Sequence, residues 1–98
     1  MNIQNAKIES TMLGYEGHGI ITAFITLDYG GAGQVFGGYR LESTMYEWVK
    51  QVIDIVGVTR WEDLKGKYIR VESDNGKITR IGHLMEDKWF SGVVDITY

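Results

Sequence analysis

Two arginines, Arg70 and Arg80, are the residues whose type and spacing most readily suggest chemistry. They flank Asp74-Asn75-Gly76, a turn signal between two alternating runs, Lys67 to Ser73 and Lys77 to Leu84. A two-residue Asn-Gly turn would set Val71 opposite Arg80 and mix apolar with charged positions. A three-residue loop with Gly76 left-handed sets Ile69 opposite Ile81 and Val71 opposite Thr79, which keeps one face buried. That register predicts Arg70 directly across from Arg80, with Tyr68 and Glu72 alongside. Like charges so placed repel by roughly some tenths of a kcal/mol. The offset must come from Glu72, from a carboxylate elsewhere in the fold, or from an anionic ligand. Arginine suits phosphate or carboxylate because its planar fork binds two oxygens at once. Two readings therefore stand, a screened pair of surface arginines and an anion site.

The aromatic residues extend the second reading. On the third predicted strand Gln34, Phe36 and Arg40 share one face, while Val35, Tyr39 and Leu41 share the other, which is assigned to the core. Phe24 of the second strand joins the first group. If that face is uncovered it is an apolar patch, the usual mark of an interface or a ligand floor. An aromatic floor near paired arginines is the layout that holds a base and its phosphates. The candidate ligand-binding residues are Arg70, Arg80, Phe36, Gln34, Arg40 and Tyr68.

Other constellations carry less. The run Gly30-Gly31-Ala32-Gly33 to Gly37-Gly38 lacks a Gly-Lys-Ser/Thr ending, and Phe36 stands where the dinucleotide spacing needs a third glycine. It also leads into a strand rather than a helix N-terminus, so it reads as a turn. Gly37 and Gly38 within a strand suggest a bulge, or close approach of a ligand or another chain. His18 and His83 have no zinc-ligand spacing and no nucleophile beside them. His18 reads as a loop residue and His83 as a hydrogen-bonded residue at a strand end. Glu62, Asp63, Glu86 and Asp87 form no spaced acid–base pair, and Asp74-Asn75-Gly76 lacks the ligands of a calcium loop. With no cysteine, thiol chemistry and disulfides are excluded. The expectation is a protein that is not an enzyme, with no catalytic residue, metal or cofactor.

The elements that must position these residues describe one α+β domain over residues 1–98. Three strands come first as an antiparallel meander: Ala6 to Met12, Ile20 to Asp28 and Gln34 to Leu41. The second alternates best, with Ile21, Ala23, Ile25 and Leu27 on one face. Thr44-Met45-Tyr46-Glu47 matches a capping box. Met45, Trp48, Val49, Val52, Ile55 and Val56 then recur at helical spacing, so the main helix is expected over about 44–57, stopped by Gly57. Thr59-Arg60-Trp61-Glu62 has room for only a turn or two before Gly66. The hairpin over about 67–84 follows. Trp89-Phe90 and Val93 to Tyr98 are left as a final short strand or a packed tail.

An apolar fraction of 44% places the chain among globular proteins. A net charge of -3 leaves no basic surplus to displace counterions, which argues against nucleic acid as the partner. No apolar run approaches the roughly 18 residues of a membrane span, and Met1 to Lys7 carries no signal-peptide pattern.

Several strings resemble a known group. Gly19-Ile20-Ile21-Thr22-Ala23, Leu27-Asp28-Tyr29-Gly30, Phe36-Gly37-Gly38-Tyr39-Arg40-Leu41, and Ile81-Gly82-His83 with Asp87-Lys88-Trp89-Phe90 occur in order over nearly the whole chain. Together they resemble small, uncharacterised proteins of tailed bacteriophages and prophages. The resemblance implies origin more than activity, and no site residue is carried over from it. Such proteins are often host-takeover or counter-defence factors of the host bacterial cytoplasm that work by binding. The expected function is sequestration of a small anionic, nucleotide-type host signal, by a homo-oligomer that encloses it. The alternatives are a protein-binding inhibitor of a host defence enzyme, in the manner of anti-CRISPR proteins, and a phage structural or accessory protein.

Overall fold

Strand β1, Asn2–Glu16, is longer than its alternation predicts because it serves two neighbours. In this computed structural model, which describes residues 2–17, 19–29, 31–39 and 42–94, Asn2 to Lys7 pair with strand β4 (Tyr68–Asp74). Lys7 to Glu16 pair with strand β2 (Ile20–Tyr29). A bulge at Glu9 separates the two halves. One inserted residue reverses the alternation, so Ala6 and Ile8 face inward before it and Thr11, Leu13 and Tyr15 after it. That reversal is why the segment alternates poorly when read as a single strand.

Strand β3 (Ala32–Tyr39) flanks β2, and strands β5 (Lys77–Gly82) and β6 (Trp89–Phe90) extend the other side. The result is one antiparallel six-stranded sheet, ordered β3-β2-β1-β4-β5-β6, curled as a half-barrel about a single helix. The α+β class is as expected, but the strands are not confined to an N-terminal meander. Half of them follow the helix, and β1 joins the two sets into one sheet.

Helix α1 spans Glu42–Val56. It begins two residues before Thr44, which puts Thr44 in the first turn rather than at the cap. Glu47 accepts a hydrogen bond from Gln51 at 3.1 Å, in the helical i, i+4 geometry. Gly57 closes the helix, its N–H donating to the Ile53 carbonyl at 2.9 Å. The expected stripe is the buried one: Met45, Trp48, Val52 and Ile55 lie in the core, with Val49 and Val56 packed beside them. A single 3-10 turn, Trp61–Asp63, follows, and no side chain caps it.

The core is completed by Ile25, Leu27, Ile69, Val71, Ile81, Phe36 and Phe90. Phe36 is a correction. Its ring is buried and stacks on Trp48, with centroids 5.9 Å apart, while Val35 is the exposed neighbour. Both faces of β3 offer apolar residues, and the larger side chain takes the core because it removes more surface from water.

The β4–β5 hairpin corrects the predicted register. Asn75 and Gly76 form a two-residue turn with φ of 52° and 79°, the type I′ geometry that matches strand twist. Val71 nevertheless avoids Arg80, because Thr79 is a bulge: Ser73 pairs with Ile78, but Glu72 pairs with Arg80 and Val71 with Ile81. The insertion turns Ile78 and Ile81, three residues apart, to the same inner face. Arg70 lies opposite Gly82, not opposite Arg80.

Candidate functional site

The outer face of β1, β4, β5 and β6 is built from residues whose neighbours along each strand are core. Pairing sets Asn5, Arg70, Gly82 and Trp89 in one row across the four strands. Lys7 and Tyr68 form the row on one side of it, and Ile3, Glu72 and Arg80 the row on the other.

Trp89 is the centre of this face. A Cβ on Gly82 would stand 2.6–2.9 Å from three atoms of its ring, so the indole rests on bare backbone. Its Nε1 donates to Asp87 at 2.9 Å. The guanidinium carbons of Arg70 and Arg80 lie 4.8 and 4.3 Å from its ring, within cation–π range.

The like-charge problem expected of the two arginines is therefore answered within the fold. Arg80 donates through Nε to Glu72 at 3.0 Å and pairs with it through a second nitrogen at 2.8 Å. The bulged Thr79 hydroxyl donates to the same carboxylate at 2.8 Å. Thr79 and Arg80 together hold the Glu72 carboxyl below its ordinary value, against the opposing effect of burial. A carboxyl depressed on folding contributes stability that is present above its unfolded pKa and lost as pH falls through the folded one. Acidification below the ordinary carboxylate range is expected to loosen the β4–β5 hairpin, and Glu72→Gln to flatten that acid limb. Urea midpoints measured against pH for both proteins test it; parallel curves would reject the assignment.

Arg70 is held differently. Its Nε donates to the His83 carbonyl at 2.8 Å and an Nη to the Glu86 carbonyl at 2.7 Å. These partners are neutral, and among the described residues no carboxylate pairs with it, so its charge stays uncancelled. His83 sits just past β5 with Nδ1 accepting the N–H groups of Met85 and Glu86, both at 3.0 Å. The 83–88 loop is thus tied from both sides, and Arg70 is fixed in place. Beside it Tyr68 is 55% exposed, and Lys7 across from Tyr68 is exposed too.

The remaining expected site residues do not join this face. Phe36 is in the core, and Gln34 is half-buried on β3, at the other edge of the sheet. Arg40 and His18 lie outside the described residues, as do positions 95–98 of the expected tail. Gly37 and Gly38 line a cleft of about 480 Å³ with Phe36, Trp48, Ser91, Gly92 and Val93. The close approach expected of these glycines comes from the protein itself at Gly37, where Trp48 and the backbone of β2 press in. Among the described residues no three potential metal ligands cluster, and no helix is long and apolar enough to cross a membrane.

Two features escaped sequence reasoning. One is Trp89, whose signal was Gly82 inside a strand, a gap that a large neighbour can fill. The other is an apolar groove of about 480 Å³ between the β1–β2 hairpin and α1, lined by Leu13, Tyr15, Ile21, Met45, Tyr46 and Val49. Comparison of the chain with protein-family models, with curated proteins and with solved structures finds no match in any of the three.

Proposed function

We propose that this chain is a non-enzymatic binding protein that takes a small anionic, nucleotide-type ligand on the outer face of β4, β5 and β6. The observation that carries this reading is Arg70, a cation fixed by carbonyls, uncancelled, and set between an indole and an exposed tyrosine. A preorganised guanidinium with nitrogens to spare supplies the phosphate contact, and Lys7 adds charge. Tyr68 offers a ring on which a base can stack. Arg80 belongs to the frame of the site, since Glu72 neutralises it. Joined to the phage-type resemblance, the reading is a counter-defence accessory protein that sequesters a nucleotide signal in the host bacterial cytoplasm.

The test uses residues of the face that hold nothing together. Calorimetric titration with cyclic mono- and dinucleotides should show binding to the native chain. Tyr68→Ala should weaken it about tenfold or more, as loss of one stacked base does, and Lys7→Ala should weaken it too while making it less salt-sensitive, since one charge contact is lost. Absence of binding by every nucleotide, or binding indifferent to both changes, would sink the proposal.

A second reading, a protein-binding inhibitor of a host defence enzyme, is favoured by the exposed groove beside α1, because patches of this kind serve protein contacts. A stoichiometric protein retained from host lysate supports it; a co-purifying nucleotide supports the first.

A further inference from the structure

His83 ties the loop beneath Arg70 with a nitrogen that can take up a proton. Its Nδ1 accepts the N–H groups of Met85 and Glu86, both at 3.0 Å. In a neutral imidazole one ring nitrogen accepts and the other carries the hydrogen, whereas in the charged ring both are donors. The two bonds therefore require a bare Nδ1. The hydrogen is then on Nε2, which faces the end of α1, where a Cβ on Gly57 would come within 3.4 Å. The backbone closes the loop on itself: the His83 N–H donates to the Lys88 carbonyl at 3.0 Å, and the Lys88 N–H to the Glu86 carbonyl at 2.9 Å. Arg70 leans on the same loop, through Nε on the His83 carbonyl at 2.8 Å and an Nη on the Glu86 carbonyl at 2.7 Å.

We propose that His83 is a pH-sensitive latch: while its ring is neutral it ties the loop that fixes Arg70, and when the ring takes up a proton the loop is released. Imidazole is the side chain whose charge ordinarily changes between about pH 5 and 8. Above that window Nδ1 is an acceptor and the loop is tied. Below it Nδ1 carries a hydrogen that points at two other donors, and both backbone N–H groups lose their partner. The carbonyls of His83 and Glu86 then no longer stand at fixed positions, and Arg70 loses its preorganised setting.

The charged groups around the ring are Arg70 from β4, Glu86, Asp87 and Lys88 from the loop itself, and Asp54 of α1, whose charge reaches Lys88. Glu86 attracts a charged imidazole, but it already pairs with Lys88 at 2.9 Å. Asp54 pairs with Lys50 at 3.0 Å, and Asp87 accepts the Trp89 indole N–H at 2.9 Å. Arg70, bonded to the carbonyl of His83 itself, repels an added positive charge. The carboxylates that could steady an imidazolium are thus engaged elsewhere. The latch is separate from Glu72, whose carboxyl is held below its ordinary value by Thr79 and Arg80 and so takes up its proton only in stronger acid. Its consequence for binding rests on the nucleotide reading of this face: a ligand gripped by a fixed guanidinium is let go on acidification.

Amide exchange followed by NMR on the full chain tests the latch without any ligand. Protection of the Met85 and Glu86 N–H groups, corrected for the intrinsic rate, should fall at least about tenfold between about pH 7.5 and about pH 5, the effect of losing these bonds. His83→Asn supplies an amide oxygen that accepts the N–H two residues on and does not titrate, so it should keep the protection at both pH values. His83→Leu, with no acceptor, should be open at both while far-ultraviolet dichroism shows the fold intact. His18→Asn, at the other histidine, should follow the native chain. Protection that does not change on acidification overturns the inference, as does a His83→Asn protein that opens like the native one; these two profiles decide even if His83→Leu fails to fold. Calorimetry with a cyclic dinucleotide, whose phosphodiesters stay ionised throughout, reads the consequence: affinity should fall about tenfold with the native latch and stay level in His83→Asn. Absence of binding at the higher pH sinks the nucleotide reading and leaves the latch standing. Undiminished binding by a chain whose latch is open overturns the link between the two.

Discussion

Replacing Gly37 by alanine is expected to destabilise this protein by roughly 3 kcal/mol or more, the sum of backbone strain and overpacking. Gly37 has φ of 121°, a region that residues with a Cβ avoid. An added Cβ would stand 2.4 Å from the Ala23 carbonyl oxygen, 2.8 Å from the Phe24 Cα and 2.8 Å from the Trp48 ring. Two of these neighbours are backbone of a strand paired on both sides, so they cannot swing away. The adjacent glycines separate the causes. Gly38 shares the strain, with φ of 146°, but a Cβ there meets nothing within 4 Å, and a Cβ on Gly33 meets nothing either. Urea unfolding should therefore rank Gly33→Ala nearest the native chain, Gly38→Ala next and Gly37→Ala last. Equal effects at Gly37 and Gly38 would show that crowding contributes nothing.

Trp48→Ala should cost about 3–5 kcal/mol, the range for removing a fully buried large aromatic side chain. The ring is completely buried and is the hub of the core. It stacks on Phe36 of β3 and lies 6.3 Å from Trp61 in the 3-10 turn and 6.5 Å from Phe90 of β6. One side chain on α1 thus joins both edges of the curled sheet. A domain of this kind holds about 5–15 kcal/mol in all, so the variant should be partly unfolded at room temperature or melt far below the native chain. Met85→Ala, at a position 83% exposed, should stay within about 0.5 kcal/mol. Near-ultraviolet dichroism and urea midpoints check both. A Trp48→Ala protein as stable as the Met85 variant would mean that the curled sheet is held by something other than this core.

Periodicity made the helix and most strands legible, because their inner faces are apolar at intervals of about 3.6 or 2 residues. What it hid lies at two single-residue insertions. Glu9 and Thr79 reverse the side-chain phase within β1 and β5, and no propensity marks either residue as inserted. The spacing of Ile78 and Ile81 was the readable clue, since an unbroken strand cannot bury both. The preference for a three-residue loop answered a real conflict, Val71 against Arg80, with the wrong device. The chain keeps the Asn-Gly turn and corrects the phase farther along. The face of Phe36 was hidden for another reason, because β3 is apolar on both sides and only the third dimension chooses. Arg70 and Tyr68 were singled out from sequence as candidates, whereas the groove was not. Its walls come from β1 and α1, and the shape of the gap between them is not carried by either segment alone.

The double role of β1 sets the order in which this protein can be completed during synthesis. Asn2 pairs with Ser73 and Lys7 with Tyr68, so β1 waits for a partner strand that is synthesised well after it. Until then the nascent chain holds β1, β2 and β3 with the Asn2-to-Lys7 edge bare, a template on which another strand can pair. Sheets closed by such distant pairings form slowly, over about milliseconds to seconds. The interval before β4 emerges is therefore when this chain is most exposed to aggregation, and a product truncated ahead of Tyr68 keeps that open edge for good.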